Sequence, residues 1–251
     1  MNPEFLNSAR AEKIGSDEWL VLIDPALDGD ENMLRDKKLL EWAYSDDDAK
    51  PVLRFFMWKP PAISVGFMQP LAQIDLQKCN KNNIDVVRRP TGGKAIYHHT
   101  EFTYSVTLPP EHPLASLSVL ETYNEISRAL ALGLRNIGVP AKLSRGSAKI
   151  SGKNPSCFSS TSRYELVVDG KKLVGSAQRR KHRAVLQQGS IIAGPQYLQL
   201  ADFLTEYSET VREELTNHST YIESILGEIP EYENFTEAMI DGFKRAFAQS
   251  N

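Results

Sequence analysis

The sequence predicts an α+β fold with more strands than helices, and three observations carry that expectation. Tyr164-Glu165-Leu166-Val167-Val168 and Lys171-Lys172-Leu173-Val174 are β-rich runs joined by Asp169-Gly170, among the strongest hairpin signals. Residues 122–136 are strongly helical and stop near Gly138, a natural C′ residue. In residues 234–249, Phe235, Met239, Phe243 and Phe247 share one helical face.

The other elements follow in order. After a polar start, Trp19-Leu20-Val21-Leu22-Ile23 reads as a strand. Asp30 can cap a helix whose Met33, Leu34, Leu39, Leu40 and Ala43 keep helical spacing. Residues 52–58 and 63–67 read as paired strands separated by the breaker Lys59-Pro60-Pro61. A helix over 72–82 carries Cys79 and leads to the short apolar run Ile84-Asp85-Val86-Val87. Residues 141–162 dissolve into Ser, Gly, Lys and Asn, a long functional-looking loop that contains Cys157. Residues 184–192 supply one more strand. With no repeat, linker or low-complexity tract, the expectation is a single domain over 1–251, its core at about 19–192 and a helical tail at about 195–251.

Composition narrows the class. At 41% hydrophobic and 24% charged, the chain is that of an ordinary globular protein. A net charge of −3 gives no global reason to bind nucleic acid or an anionic membrane. No apolar run approaches the ~20 residues of a membrane helix, and the polar N-terminus lacks the apolar core of a secretion signal. Two cysteines, Cys79 and Cys157, point to a reducing compartment, so the expected location is cytoplasmic. No Cys/His cluster has zinc-ligand spacing, so no metal site is expected.

The most informative segment is Arg88-Arg89-Pro90-Thr91-Gly92-Gly93-Lys94-Ala95-Ile96-Tyr97-His98-His99. Pro90 fixes φ, and Gly92-Gly93 permits backbone angles denied to other residues. Such a turn can bring backbone N–H groups to a carbonyl or phosphate oxygen, with Arg88, Arg89 and Lys94 supplying charge; an ordinary β-turn with solvated charges is the alternative. A P-loop is excluded, because Arg88 and Ala95 stand where it requires Gly and Ser/Thr. The three glycines of a dinucleotide fingerprint are also missing.

Cys157 lies in the polar run Asn154-Pro155-Ser156-Cys157-Phe158. A thiol becomes a nucleophile when it is accessible and a nearby cation lowers its pKa; otherwise it merely packs, as Cys79 is expected to do within its helix. Across the Asp-Gly turn Val168 would pair with Lys171 and Val167 with Lys172, so the two lysines point to opposite faces. Lys172 would share its face with Val167, Val174 and Ser176, though the pattern does not say which face is inward. His98 either lines a pocket or makes a structural hydrogen bond, and His99 should face away from it. The basic run Arg179-Arg180-Lys181-His182-Arg183 is either a solvated turn or a surface that attracts an acidic carrier protein.

These motifs resemble the lipoate–biotin protein ligase superfamily. There a strand ends in Arg-Arg and is followed by a Gly-rich turn, a short strand and a His, as in Arg88 to His98. Glu101-Phe102-Thr103-Tyr104-Ser105-Val106 is similar to the next strand. Pro61-Ala62-Ile63-Ser64-Val65-Gly66-Phe67 is similar to the strand and glycine that approach the acyl pocket. Lys94 after the double Gly, and Cys157 before Phe158, resemble the LipM-type octanoyltransferases in particular. His99 departs from that branch, which usually has an acidic residue there. The superfamily also carries a Lys three residues before Gly-Ser-Ala, and Lys172 stands there before Gly175-Ser176-Ala177.

The resemblance implies a mixed, largely antiparallel sheet flanked by helices, the catalytic domain of class II biotin/lipoate ligases. It implies Cys157 as nucleophile, Lys172 as its activator, and a substrate site at Gly66, Arg88, Arg89, Thr91, Gly92, Gly93, Lys94, His98, Gly175, Ser176, Ala177 and Gly189. The implied activity moves octanoyl from octanoyl-acyl carrier protein, by way of a Cys thioester, to a lysine of a lipoyl-domain protein (glycine cleavage H protein or a 2-oxoacid dehydrogenase E2). No cofactor is expected. The rivals are an ATP- and magnesium-dependent lipoate–protein ligase, an amidotransferase between lipoyl-domain proteins, and a non-catalytic acyl-binding module. Many single-chain ligases carry an accessory domain, for which the stretch after Ile192 leaves no room; biotin transfer is disfavoured by the missing Gly-Arg-Gly-Arg type turn.

Overall fold

The computed structural model describes residues 3–144, 165–206 and 208–248. Strands β1 (Arg10–Ile14) and β2 (Asp17–Leu27) form an antiparallel pair turned at Gly15, where φ is +65°. β1 lies in the polar start, to which the sequence reading assigns no element. Arg10 and Lys13 are exposed, Glu12 is half-buried and only Ile14 is buried, so local sequence gave little strand signal. Helix α1 (Gly29–Ser45) is capped by Asp28, whose carboxylate accepts from the Glu31 amide at 2.8 Å; the cap expected at Asp30 falls inside the helix. β3 (Val52–Trp58) returns parallel to β2.

β4 (Ala62–Val65) was expected to pair with β3, but the two lie in different sheets. The chain crosses between them at Lys59-Pro60-Pro61, and β4 pairs with β5 (Asp85–Arg88) and β6 (Ile96–His98). The helix expected over 72–82 is interrupted. A 3-10 turn at Leu71–Gln73 precedes α2 (Leu76–Lys81), which Asp75 caps by accepting from the Lys78 amide at 2.9 Å.

β7 (Glu101–Leu108) leads to a short α3 (Pro113–Ser116) and to α4 (Val119–Asn136). α4 starts one turn earlier than expected, at a capping box in which the Ser118 hydroxyl accepts from the Glu121 amide and the Glu121 carboxylate accepts from the Ser118 amide. It ends as expected at Gly138, with φ +87° and its amide on the Arg135 carbonyl. β8 (Lys142–Leu143) precedes the expected hairpin of β9 (Leu166–Val168) and β10 (Lys171–Lys181), turned at Asp169 and Gly170 with φ of 49° and 79°. Both positive angles are those of a type I′ turn. β11 (Ala184–Ile192) follows, then a 3-10 segment Pro195–Phe203 and helices α5 (Ser208–His218), α6 (Ile222–Leu226) and α7 (Tyr232–Phe247).

Among the described residues the large sheet has the order β1-β2-β3-β7-β11-β10-β9-β8, antiparallel except for β2–β3, and the small sheet has the order β5-β4-β6. The fold class is therefore the mixed, largely antiparallel sheet with flanking helices that the resemblance implied. One face of the large sheet takes α4 and α7, with Phe235, Met239 and Phe243 fully buried against Phe55, Phe102 and Tyr104. These two helices cross at glycines: a Cβ added to Gly242 would lie 2.4 Å from the Gly133 amide nitrogen and 2.5 Å from the Ala129 carbonyl. The other face takes α1 and the small sheet, and the candidate site lies there. No helix among the described residues is long and apolar enough to cross a membrane.

Candidate active site

β7 explains why the site face is polar. Its alternation sends Phe102, Tyr104, Val106 and Leu108 to the helix-packed core, and Glu101, Thr103, Ser105 and Thr107 to the opposite face. Such alternation usually marks one solvated face. Here all four polar residues are buried, because α1 and the small sheet cover them.

The Gly-rich turn follows β5. Its two arginines are turned onto backbone. Arg88 donates to the carbonyls of Gly66, Phe67 and Gln69 at 2.8–2.9 Å. Arg89, buried, donates to the carbonyls of Ser64 (2.9 Å), Gly92 (2.8 Å) and Lys94 (2.7 Å). Each guanidinium therefore ties the turn to β4 and its following loop, a rigid multi-donor task that Arg suits and Lys does not. Gly66 permits the close crossing of these segments, since a Cβ there would lie 1.9 Å from the Gly93 carbonyl oxygen. Gly93 has φ +90° and stands over Ala177; Gly92 and Gly93 are exposed at the crest of the turn, and Lys94 is half-buried.

Thr91 anchors the turn from below. Its hydroxyl donates to Gln188 Oε1 at 2.8 Å, and the Gln188 amide donates to Asp36 of α1. Asp36 also accepts from Arg54 (2.8 Å) and Ser105 (2.8 Å), and Arg54 pairs with Asp24 at 2.6 Å. This hydrogen-bonded chain runs from a buried ion cluster to the turn.

His98 sits at the centre of a second buried network. Its Nε2 lies 2.7 Å from the Ser64 hydroxyl, and its Nδ1 bonds Glu101, whose carboxylate also accepts from Thr103 (2.7 Å) and Ser190. With that carboxylate accepting, the network assigns the proton of a neutral ring to Nδ1 and leaves Nε2 to accept from Ser64. The ring stacks on Trp58 at 4.0 Å, and Trp58 donates to Thr103 at 2.8 Å. Both readings of His98 meet here: its nitrogens are hydrogen-bonded, and its ring walls a narrow slot between the two sheets. His99 is exposed.

Gly175, Ala177 and Gly189 line the far wall of this slot. Ser176 bonds the Tyr104 hydroxyl at 2.7 Å, and burial pushes that phenol up to about 12. Gly189 makes room for this pair, since a Cβ would lie 2.3 Å from the Tyr104 ring. The slot holds about 20 Å³, room for about one water molecule. At Met33 and Arg89 it meets an open groove of about 700 Å³ flanked by Leu34, Phe67, Arg88 and Arg179.

Val168 pairs with Lys171 and Val167 with Lys172, as the Asp-Gly turn dictates. Lys171 is exposed, whereas Lys172 is 1% exposed and its ammonium lies 2.6 Å from the carboxylate of Glu165. The alternation expected to continue through Val174 and Ser176 is broken, because the register shifts between Lys172 and Val174. The Lys172 carbonyl accepts from the Thr220 amide at 2.9 Å, so its backbone is held from the tail as well. Cys157 lies outside the described residues. Cys79 is buried in α2 and its thiol is pushed up to about 11, mainly by burial, which leaves it inert at neutral pH.

Arg180 of the basic run is turned inward to the carbonyls of Ala115 and Leu117, and Lys181 bonds the Tyr44 hydroxyl. His182 and Arg183 form the tight turn between β10 and β11, both with positive φ. No group of three or more His, Cys, Asp or Glu among the described residues is placed to hold a metal ion.

A family model, Lipoyl protein ligase A/B catalytic domain, matches residues 28–244. The chain belongs to that family. Among lipoyl ligase family relatives, it is 42% identical to the octanoyltransferase LipM of Carboxydothermus hydrogenoformans over 69% of this chain, and spans about 64% of that relative's length. It is 36% identical to LipM of Halalkalibacterium halodurans (90% of this chain, 84% of the relative) and 41% identical to LipM of Bacillus subtilis (73% and 68%). The fold is shared with a bipartite lipoate protein ligase of Thermoplasma acidophilum, at TM-score 0.71 and 18% identity over 90% of this chain and 82% of that one. A lipoate-protein ligase A bound with ATP gives TM-score 0.69 at 22% identity over 91% and 84%.

Glu165, Ser64, Glu101, Gln188 and Asp36 were not singled out from the sequence. Ser64, Glu101 and Glu165 are polar residues inside or beside apolar runs, which is the signal available to find them, whereas Asp36 lies among the charges Arg35, Lys37 and Lys38 and carries none.

Proposed function

We propose that this protein is an octanoyltransferase of protein lipoylation that works through an acyl thioester on Cys157. Two things support the reading. The chain is 35–36% identical to LipM octanoyltransferases over 90–93% of its length. The observation that carries it at the site is Lys172, a buried ammonium three residues before Gly175-Ser176-Ala177, whose neighbour Lys171 faces solvent.

In the first half-reaction the Cys157 thiolate attacks the carbonyl of octanoyl-acyl carrier protein. The carbonyl–sulfur bond to the pantetheine breaks, and that sulfur leaves as a thiol after taking up a proton. In the second, the ε-amine of a lysine on a lipoyl-domain protein, a glycine cleavage H protein or a 2-oxoacid dehydrogenase E2, attacks the enzyme thioester. The bond to Cys157 breaks, the amide forms, and the amine's proton returns to the cysteine sulfur. Lys172 would favour the thiolate and, with backbone amides of the exposed Gly92-Gly93 turn, the tetrahedral oxyanions. The groove and slot would receive the octanoyl chain, with the slot widening as it enters. Neither nucleotide nor magnesium takes part, because the donor thioester already holds the energy of amide formation. The expected location is the cytoplasm.

Paired cysteine variants test this. Cys157→Ala should abolish transfer of octanoyl from its carrier protein to a lipoyl domain, while Cys79→Ala keeps it and loses only some stability through a small cavity. A fully active Cys157→Ala enzyme would overturn the assignment.

A further inference from the structure

We infer that Glu165 is a positioning residue for acyl transfer, holding the Lys172 ammonium where the reaction needs it; the inference rests on the function proposed above. Four observations carry it. The two side chains are 7% and 1% exposed and approach to 2.6 Å, so the pair is withdrawn from water. Both backbones are pinned independently: the Glu165 carbonyl accepts from the Ser144 amide at 2.8 Å, and the Lys172 carbonyl from the Thr220 amide at 2.9 Å. The irregular register between Lys172 and Val174 falls beside the lysine, the kind of irregularity that re-aims a side chain. Finally, Lys171 on the same strand is left exposed, with its ammonium 3.3 Å from the Thr216 carbonyl, so the hairpin treats its two lysines differently.

A buried ion pair is a weak device for stability, since an apolar pair of similar volume commonly does as well. Its value lies in fixing a charge. The lysine stem has four rotatable carbons, and its compact ammonium has no preferred fork geometry. A carboxylate at 2.6 Å removes that freedom and balances the charge. Electrostatic stabilisation of a developing oxyanion depends on such preorganisation, because the stabilising charge must already be in place when the anion forms.

The test is the single-turnover rate of octanoyl loading from octanoyl-acyl carrier protein onto the full chain, followed by intact mass, with a melting curve for every variant. Glu165→Gln should slow loading about 10- to 100-fold, the scale known for partners that orient metal ligands and applied here to an oriented ammonium. The donor concentration for half-saturation should be unchanged, and Glu165→Asp should recover part of the rate. Because Glu165 acts through Lys172, the double variant Glu165→Gln/Lys172→Met should be no slower than Lys172→Met alone. A merely structural role moves the melting curve but multiplies the two rate losses. Multiplied losses, or a folded Glu165→Gln variant loading at the wild-type rate, would overturn the inference. Should Glu165→Gln fail to fold, Glu165→Asp decides: slowed loading supports the inference and a wild-type rate refutes it. If the wild type loads nothing and instead needs ATP and free octanoate, the function proposed above fails. The same rate cycle, run in that reaction, then decides on Glu165 separately.

Discussion

His112 shows at the scale of one residue how burial writes a pH dependence into stability. It caps α3, with Nδ1 accepting from the Leu114 amide at 3.2 Å, and its ring meets the edge of Trp19 at 5.4 Å. Burial holds its pKa below the ordinary 6.5, opposed by the nearby Asp17 carboxylate. The unfolded chain therefore binds the proton more readily than the folded one. The associated stability is complete above about pH 6.5 and is lost as the pH falls below it toward the depressed folded value. We predict that the melting temperature falls more steeply from pH 7 to pH 5 in the wild type than in His112→Asn. That variant keeps a capping acceptor and removes the titration. Equal slopes would contradict this account. Residues were unequally legible in the sequence for a physical reason. Lys172 could be found because a turn and a Gly-Ser-Ala run fix its place, whereas Glu101 and Glu165 resemble solvent-facing positions until the covering elements are known.

At the scale of elements, the α4–α7 crossing is set by what is missing. Gly133 and Gly242 let the two backbones approach until an added Cβ at Gly242 meets α4 main chain, which cannot rotate aside as a side-chain tip could. Gly242→Ala should therefore destabilise the protein by roughly 1–3 kcal/mol, although alanine is the better helix former. The midpoint of urea unfolding reads this directly, and a variant as stable as the wild type would show that the helices can separate freely. The elements most legible in sequence are those with local causes: the Asp169-Gly170 hairpin, the Gly138 stop and the Phe235-Met239-Phe243 face. The misread ones depend on distant partners. β3 and β4 adjoin in sequence yet pair in different sheets, and β1 acquires strand structure only by lying along β2.

Across the whole molecule, two sheets and α1 enclose a polar seam in which the Gly-rich turn is held from both sides. Arg88 and Arg89 tie it to the small sheet and the loop after β4, and Thr91 ties it through Gln188 to the Asp36–Arg54 cluster beneath the large one. That arrangement converts two arginines legible as charges into a scaffold, leaving Gly92 and Gly93 exposed at the crest and Lys172 as the buried cation of the hairpin. The central claim, a thioester on Cys157 formed without nucleotide, is tested most directly by intact mass after mixing the protein with octanoyl-acyl carrier protein and no ATP or magnesium. The account predicts a gain of one octanoyl group, mapped by peptide analysis to Cys157 and discharged when a lipoyl-domain protein is added. No adduct under these conditions, with product appearing only from free octanoate, ATP and magnesium, would contradict it.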